Sequence, residues 1–262
     1  MPRRKKTITR ILNCLPSQKT ERDWTFRNAM AASYLSGTGQ IPEEVDLRAD
    51  WWDIGDQGAT GSCVGWAAAE GLFRYHFTRA NRIQETDHLS VRFIWMAAKE
   101  TDTFISPPTT FIEPEGTSIK SALDIARKYG TVKEEVLPFH GGLYQNDAET
   151  FYATASQLKI AAYFNLGAIQ SNWRTWLATK GPIITRLGVD ATWDNASLNQ
   201  GNLDIYQPDT VRGGHAILIV GYTPNRFIIR NSWGADWGDH GFAYASLDYA
   251  AAAFTEAYGI SL

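Results

Sequence analysis

Gln57–Trp66 reads QGATGSCVGW, and the 18 residues from Cys63 to Ala80 contain no proline. Trp66, Leu72, Phe73 and Phe77 fall at roughly helical spacing after Gly65 and Gly71, which predicts a helix opening near Ser62. A cysteine in the first turn of a helix faces unpaired backbone N–H groups, whose partial positive charge favours its thiolate. A lone cysteine is more often a small buried hydrophobe, so the stretch gains chemical meaning only from partners elsewhere in the chain. Two further stretches supply them: Gly213–Ala216 (GGHA) and Asn231–Gly241 (NSWGADWGDHG). A thiol nucleophile needs a base, and the base needs a third group to orient its ring; Cys63, His215 and Asn231 stand in that order. Gly61 and the Gly213–Gly214 pair, just before the thiol and the imidazole, leave room for close approach of another backbone.

Outward from these stretches, apolar spacing and stop signals predict helices within Asp23–Leu35 and over Ser90–Lys99, Thr117–Tyr129 and Ser171–Thr179. Pro182–Val189, His215–Tyr222, Arg226–Arg230 and Gly241–Ser246 read as strands. Thr101–Glu115, with Pro107, Pro108 and Pro114, reads as a surface loop, and Asp190–Asp204 as a long one. Helices first and strands afterwards imply an α+β protein with two segregated lobes. Residues 1–44 form an N-terminal extension. The catalytic domain is expected over 45–262, mainly helical over about 55–165 and mainly β over about 166–262.

The chain carries 25 Lys plus Arg against 28 Asp plus Glu, a net charge of −3, which argues against a nucleic-acid partner. With 44% hydrophobic and 20% charged residues it can bury a substantial core. No apolar run approaches the ~20 residues of a membrane span. Two cysteines, Cys14 and Cys63, make no disulfide framework, and the basic start (Arg3, Arg4, Lys5, Lys6, Arg10) lacks the apolar core of a secretory signal, so a cytoplasmic location is the default expectation, with export by a non-classical route left open. None of the five histidines sits in a zinc motif, Asp190–Asp204 lacks calcium-loop spacing, and Gly213–Gly214 opens no phosphate loop, so neither metal nor cofactor is expected.

These anchors resemble the papain family of cysteine peptidases, in a form without disulfides such as bacteria or archaea carry. Gln57 lies six residues before Cys63, Asn231 sixteen after His215, and Ser232–Trp233–Gly234, Trp237–Gly238 and Gly241 follow; the likeness runs from about Val45 to Ser246. It implies a two-lobed fold, a helical lobe and a barrel-like β lobe with the active-site cleft between them. It implies further that Cys63 is the nucleophile, His215 the base and then acid, Asn231 the group that orients the imidazole, and Gln57 an oxyanion donor with the backbone N–H of Cys63. Trp233 would cover the Asn231–His215 contact. The expected activity is endopeptidase cleavage of a peptide or protein substrate through a thioester on Cys63. A thiol-dependent acyl transferase or amidase, and a non-catalytic peptide-binding module, are the alternatives. Val64 stands where an aromatic commonly follows the nucleophile, and Thr60 where many members have a disulfide cysteine.

Aligned on the family, Gly116 and Thr117 would pair with an extended substrate, Ser118 and Ile119 would wall the pocket for the second residue before the cut, and Gly61, Gly214, Ala216 and Trp233 would line the cleft. Arg186 falls on another wall of that pocket, where it would favour an acidic or polar residue; one residue of misalignment would instead turn it to solvent. The extension is expected to touch the catalytic domain, either packed beside the lobes, the preferred reading, or across the cleft. Cys14, inside it, reads as structural or incidental.

Overall fold

A computed structural model describes residues 9–35, 39–101, 115–142 and 144–262. The basic run Arg3–Lys6 and nearly all of the Thr101–Glu115 loop lie outside the described residues.

The architecture is α+β, built on one mixed sheet. Its strands are β1 (Val45–Asp46), β2 (Ala162–Asn165), β3 (Ile183–Val189), β4 (Asn202–Leu203), β5 (Gly213–Tyr222), β6 (Arg226–Arg230), β7 (Phe242–Ser246) and β8 (Phe254–Ser261). They run in the order β2-β8-β3-β5-β6-β7-β4, with β1 paired to β5, and every pairing is antiparallel except that of β4 with β7.

Strand β5 explains why its sequence is an unbroken apolar run. Ala216, Leu218 and Val220 pack into the core shared with the helices, while Ile217, Ile219 and Tyr222 pack into the core on the other side. Strands buried on both faces lose the apolar–polar alternation that marks a solvated sheet. A bulge against β6 between Ile219 and Gly221 lets Tyr222 rejoin the second face.

The helix predicted from Ser62 runs without a break from Cys63 to Arg79, wound as a π-helix over Trp66–Phe73. Helices Val91–Thr101 and Ile119–Lys128 pack in the same core. Gln170–Thr179 and Leu247–Ala253 cover the opposite face of the sheet. The helices Ala148–Ala155 and Leu247–Ala253 and the strands β2 and β8 are not among the elements expected from apolar spacing. β2, inside the stretch assigned to the helical lobe, pairs with β8.

A buried charge cluster fixes the long helix in azimuth. The Glu70 carboxylate accepts from the Leu89 N–H at 2.5 Å, from His88 Nδ1 at 2.8 Å and from Arg74 Nη1 at 3.1 Å; Arg74 also reaches Asp53 at 2.7 Å. Arg74 and Glu70 are both buried. Removing one partner of such a pair strands the other charge away from water. Arg74→Met should therefore lower the unfolding free energy by ~3–5 kcal/mol, read as an earlier midpoint in urea.

Candidate active site

Cys63 is the first residue of its helix and is fully buried. His215 sits near the start of β5, in register with Leu187 of β3, and is buried as well. Its Nε2–H donates to Asn231 Oδ1 at 2.8 Å. Asn231 is fixed in turn, because Oδ1 also accepts from the Ser232 N–H at 2.8 Å and its own N–H donates to the Gly241 carbonyl at 3.0 Å. With Nε2 engaged, Nδ1 is the nitrogen left for the thiol: it is buried with no hydrogen-bond partner among the described residues, and the His215 side chain favours the anion of Cys63.

The Cys63 thiol is held well below its ordinary range. A hydrogen bond from the Cys14 side chain contributes most; burial opposes it, and the bond and charge of His215, with the Ala216 N–H, add to the lowering. Cys14 is pushed the other way, first by burial and then by its bond to Cys63. The two thiols are thus shifted in opposite directions, Cys63 down and Cys14 up.

Three indoles enclose the imidazole. Trp233 lies 5.0 Å from the His215 ring, Trp193 meets it edge-on at 5.7 Å, and Trp237 stacks on Trp193 at 4.9 Å. Trp193 is held by its indole N–H donating to the Tyr249 hydroxyl at 3.0 Å, which donates to Asp190 Oδ1 at 2.7 Å. Low-dielectric walls of this kind strengthen the Asn231–His215 bond. Trp193 comes from the stretch read as a plain long loop, and no local spacing connects it to His215.

Gln57 joins the first motif to the third. Its N–H donates to the Ser232 carbonyl at 2.9 Å and its Oε1 accepts from Ser232 Oγ at 3.1 Å. That leaves the side-chain amide aimed into the cleft, where Nε2 donates to the carbonyls of Thr60 at 2.9 Å and Ile11 at 3.3 Å. Thr60 ties the same turn through its hydroxyl to the Gln57 carbonyl at 2.7 Å.

The N-terminal extension runs between the two lobes. The Cys14 N–H donates to the Gly214 carbonyl at 2.9 Å and the Leu15 N–H to the Thr117 carbonyl at 3.0 Å, so consecutive residues bond to opposite walls. A Cβ on Gly214 would lie 2.3 Å from the Cys14 carbonyl oxygen, and one on Gly116 1.6 Å from that of Asn13; only glycine permits this approach. Arg10 ion-pairs with Asp56 and donates to the Trp233 carbonyl at 3.0 Å. Farther along, the Ser17 N–H donates to Glu256 at 3.0 Å, Lys120 pairs with buried Asp23, and Thr25–Asn28 caps the helix Phe26–Ala31. The extension both packs on the lobes and crosses the cleft. Cys14, read as structural or incidental, is buried with Cys63 and is the first of the groups that lower its thiol.

The expected cleft residues are placed as follows. Gly116, Thr117 and Gly214 flank Asn13–Leu15. Ser118 pairs with Leu15 as an isolated bridge while its hydroxyl caps the helix Ile119–Lys128, and Ile119 is wholly buried in the core beneath. Ala216 presents its N–H to Cys63, and Gly61 is buried beside the thiol turn. Arg186 does not turn to solvent: Nε donates to the Cys14 carbonyl at 2.9 Å and Nη1 to Thr255 Oγ1 at 3.1 Å. Sequence reasoning passed over Asp56, Trp193 and Glu256. Among the described residues no His/Cys/Asp/Glu group could hold a metal, and no helix is long and apolar enough to cross a membrane.

The family model for the papain family of cysteine proteases matches residues 41–258. Procathepsin L of Felis catus is 29% identical over 222 residues, 80% of this chain and 62% of that protein. Papain of Carica papaya is 25% identical over 214 residues, 79% of this chain and 55% of that protein. The chain spans about three fifths of the length of the first curated relatives it matches, 64% of a viral cathepsin from Adoxophyes honmai nucleopolyhedrovirus and 61% of cathepsin J from Mus musculus. Among solved structures, xylellain, a cysteine protease from Xylella fastidiosa, superposes with a TM-score of 0.78 at 22% identity, covering 98% of each chain. A procathepsin L 3 from Tenebrio molitor gives 0.62 at 18% identity over 87% of this chain and 73% of its own.

Ultraviolet thiolate absorbance should resolve the two sulfurs. Cys63 should lose its proton below the ordinary thiol range and Cys14 above it, so two separate transitions of one thiolate each are expected as the pH rises. Cys14→Ser and His215→Gln should each move the lower transition up, because each removes a group that favours the anion.

Proposed function

Because the chain belongs to the papain family of cysteine proteases, we propose that it is an endopeptidase that cleaves peptide bonds through a thioester on Cys63. The observation that carries this reading is the convergence of Cys63, His215, Asn231 and Gln57 from three distant stretches: His215 bonds Asn231, Gln57 bonds the adjoining Ser232, and His215 acts on the Cys63 thiol. The thiolate attacks the scissile carbonyl carbon, forming a C–S bond and placing negative charge on the oxygen. The Gln57 amide and the Cys63 N–H receive that charge, and a preorganised donor matters most there. His215 then gives its proton from Nδ1 to the leaving amine as the C–N bond breaks. For deacylation it takes a proton from water, whose oxygen displaces the sulfur. Asn231 keeps Nδ1, not Nε2, toward the sulfur throughout.

In the same reading, Gly116, Thr117, Gly214 and Arg186 take an extended substrate on its acyl side, since all four already meet the backbone of residues 13–15. The extension is then a restraint on the enzyme. It lies in the cleft back to front: Ile11 is at the Gln57 amide and Leu15 at Thr117, whereas a substrate must enter its acyl half on the Thr117 side with its N-terminal end leading away from Cys63. A reversed chain offers the sulfur no carbonyl with a leaving amine on the far side. This occupancy is that of the second expected reading of residues 1–44, a chain across the cleft, and the packed stretch after Ser17 is that of the first.

Activity on a short peptide substrate tests both parts. Cys63→Ala should abolish turnover, and Gln57→Ala should reduce kcat by ~10²–10³ with KM little changed. Removal of residues 1–16, which leaves the packed stretch after Ser17 in place, should raise turnover. Unchanged turnover in the shortened chain would assign the extension to packing alone, and turnover by Cys63→Ala would reject the peptidase reading.

A further inference from the structure

The chain has two cysteines, and the fold brings both to one point. Cys14 is not used by the chemistry above, yet it is buried in the same core cluster as Cys63, and the two side chains act on one another more than any other side chain acts on either. Its position is not loose. The Cys14 N–H is tied to Gly214, its carbonyl to Arg186 and the next N–H to Thr117, three bonds of 2.9–3.0 Å that fix the residue from both lobes. The Cys14 Sγ also makes a weak hydrogen bond, 3.8 Å, to the Leu15 carbonyl.

We propose that Cys14 and Cys63 are a redox pair: a hydroperoxide oxidant converts them to a disulfide that fastens the N-terminal segment over the nucleophile, and a small thiol reopens it. Cys63 is the attacking sulfur, because its surroundings at the helix start favour the anion while burial opposes it at Cys14, the resolving one. In the first step the Cys63 thiolate attacks a peroxide oxygen; an S–O bond forms, the O–O bond breaks, and the departing hydroxide takes a proton to become water. In the second the Cys14 sulfur attacks the sulfur of this sulfenic acid; an S–S bond forms, the S–O bond breaks, and hydroxide leaves with the Cys14 proton as a second water. The two thiols lose two electrons together and the peroxide gains them. The Arg186 guanidinium favours the anion of Cys14 needed at that step. Reduction by thiol exchange returns both thiols.

A cysteine placed here has a protective consequence as well. Without a resolving partner, a sulfenic acid proceeds to sulfinic and sulfonic acids, which thiols do not reverse. The same pair would thus keep a dormant enzyme both closed and recoverable. The cross-link itself rests on the meeting of the two sulfurs; only its effect on activity rests on the proposed peptidase function.

Intact-mass spectrometry of the full chain, treated with hydrogen peroxide, acid-quenched and alkylated, tests the pair without reference to activity. The expected product is a monomer lighter by two hydrogens, with no alkylated cysteine, whose digest joins the Cys14 and Cys63 peptides and separates on adding dithiothreitol. In parallel, Cys14→Ser should accumulate sulfinic and sulfonic acid at Cys63, and lose for good the activity that the native chain regains with dithiothreitol. A native chain that gains oxygen at Cys63 while Cys14 is alkylated, or that cross-links only between two chains, would overturn the proposal. If Cys14→Ser fails to fold, the peptide map of the native chain decides alone. A joined peptide pair in a chain that cleaves no substrate would uphold the redox pair and reject the peptidase.

Discussion

The site depends on one hydrogen bond, from His215 Nε2 to Asn231 Oδ1, because that bond decides which imidazole nitrogen is left for the sulfur. The fold is arranged to hold its two ends. His215 is carried by β5, where it pairs with Leu187 of β3; from Leu218 on the strand is paired with β6 as well and buried on both faces, which anchors it in the sheet. Asn231 directly follows β6 and is pinned at Oδ1 and at its own N–H. Cys63 comes from the opposite lobe, on a helix fixed by the Glu70–Arg74 cluster below it. The indoles of Trp193 and Trp233 then keep competing water from the bond.

The N-terminal segment uses groups that the chemistry needs. The Gln57 amide meets Ile11, Gly214 and Thr117 meet Cys14 and Leu15, and Arg10 sits against Asp56 and Trp233. Each contact is modest, and the partly exposed Arg10–Asp56 pair contributes little by itself. Their strength comes from covalent attachment, which makes cleft occupation intramolecular and its effective concentration high. The bonds beyond the cleft, at Ser17, Asp23 and Thr25, shorten the tether that must be ordered. An arrangement of many weak contacts on one tether is suited to release, by cutting or by competition, and a covalent link at Cys14 would change it from a weak stopper to a fixed one.

Much of this was legible in the sequence, for definable reasons. Cys63, His215 and Asn231 lie in short strings whose residue types have few other uses together, and the helix from Ser62 follows from an uninterrupted apolar spacing. The strands flanked by Gly, Pro and Asn were also readable. β8 was not: Phe254–Ser261 follows an alanine run and mixes small, polar and aromatic residues, and its strand form is set by pairing with β2 and β3. Trp193, Asp56 and Cys14 were missed because each acts through a contact distant in sequence, and no periodicity encodes such a contact. Arg186 was legible as a position but not as a direction, since a strand turns its side chains over at every residue.

The central claim is that residues of the chain's own N-terminal segment occupy the cleft in the folded protein, bonded by their backbone to both walls. Amide hydrogen exchange resolved by residue measures this most directly, because the Cys14 and Leu15 N–H groups donate to the Gly214 and Thr117 carbonyls. The account predicts that both exchange slowly in the native chain, far behind an unstructured peptide of the same sequence. Exchange of these two amides at the rate of the unstructured peptide, while those of β5 stay protected, would contradict it.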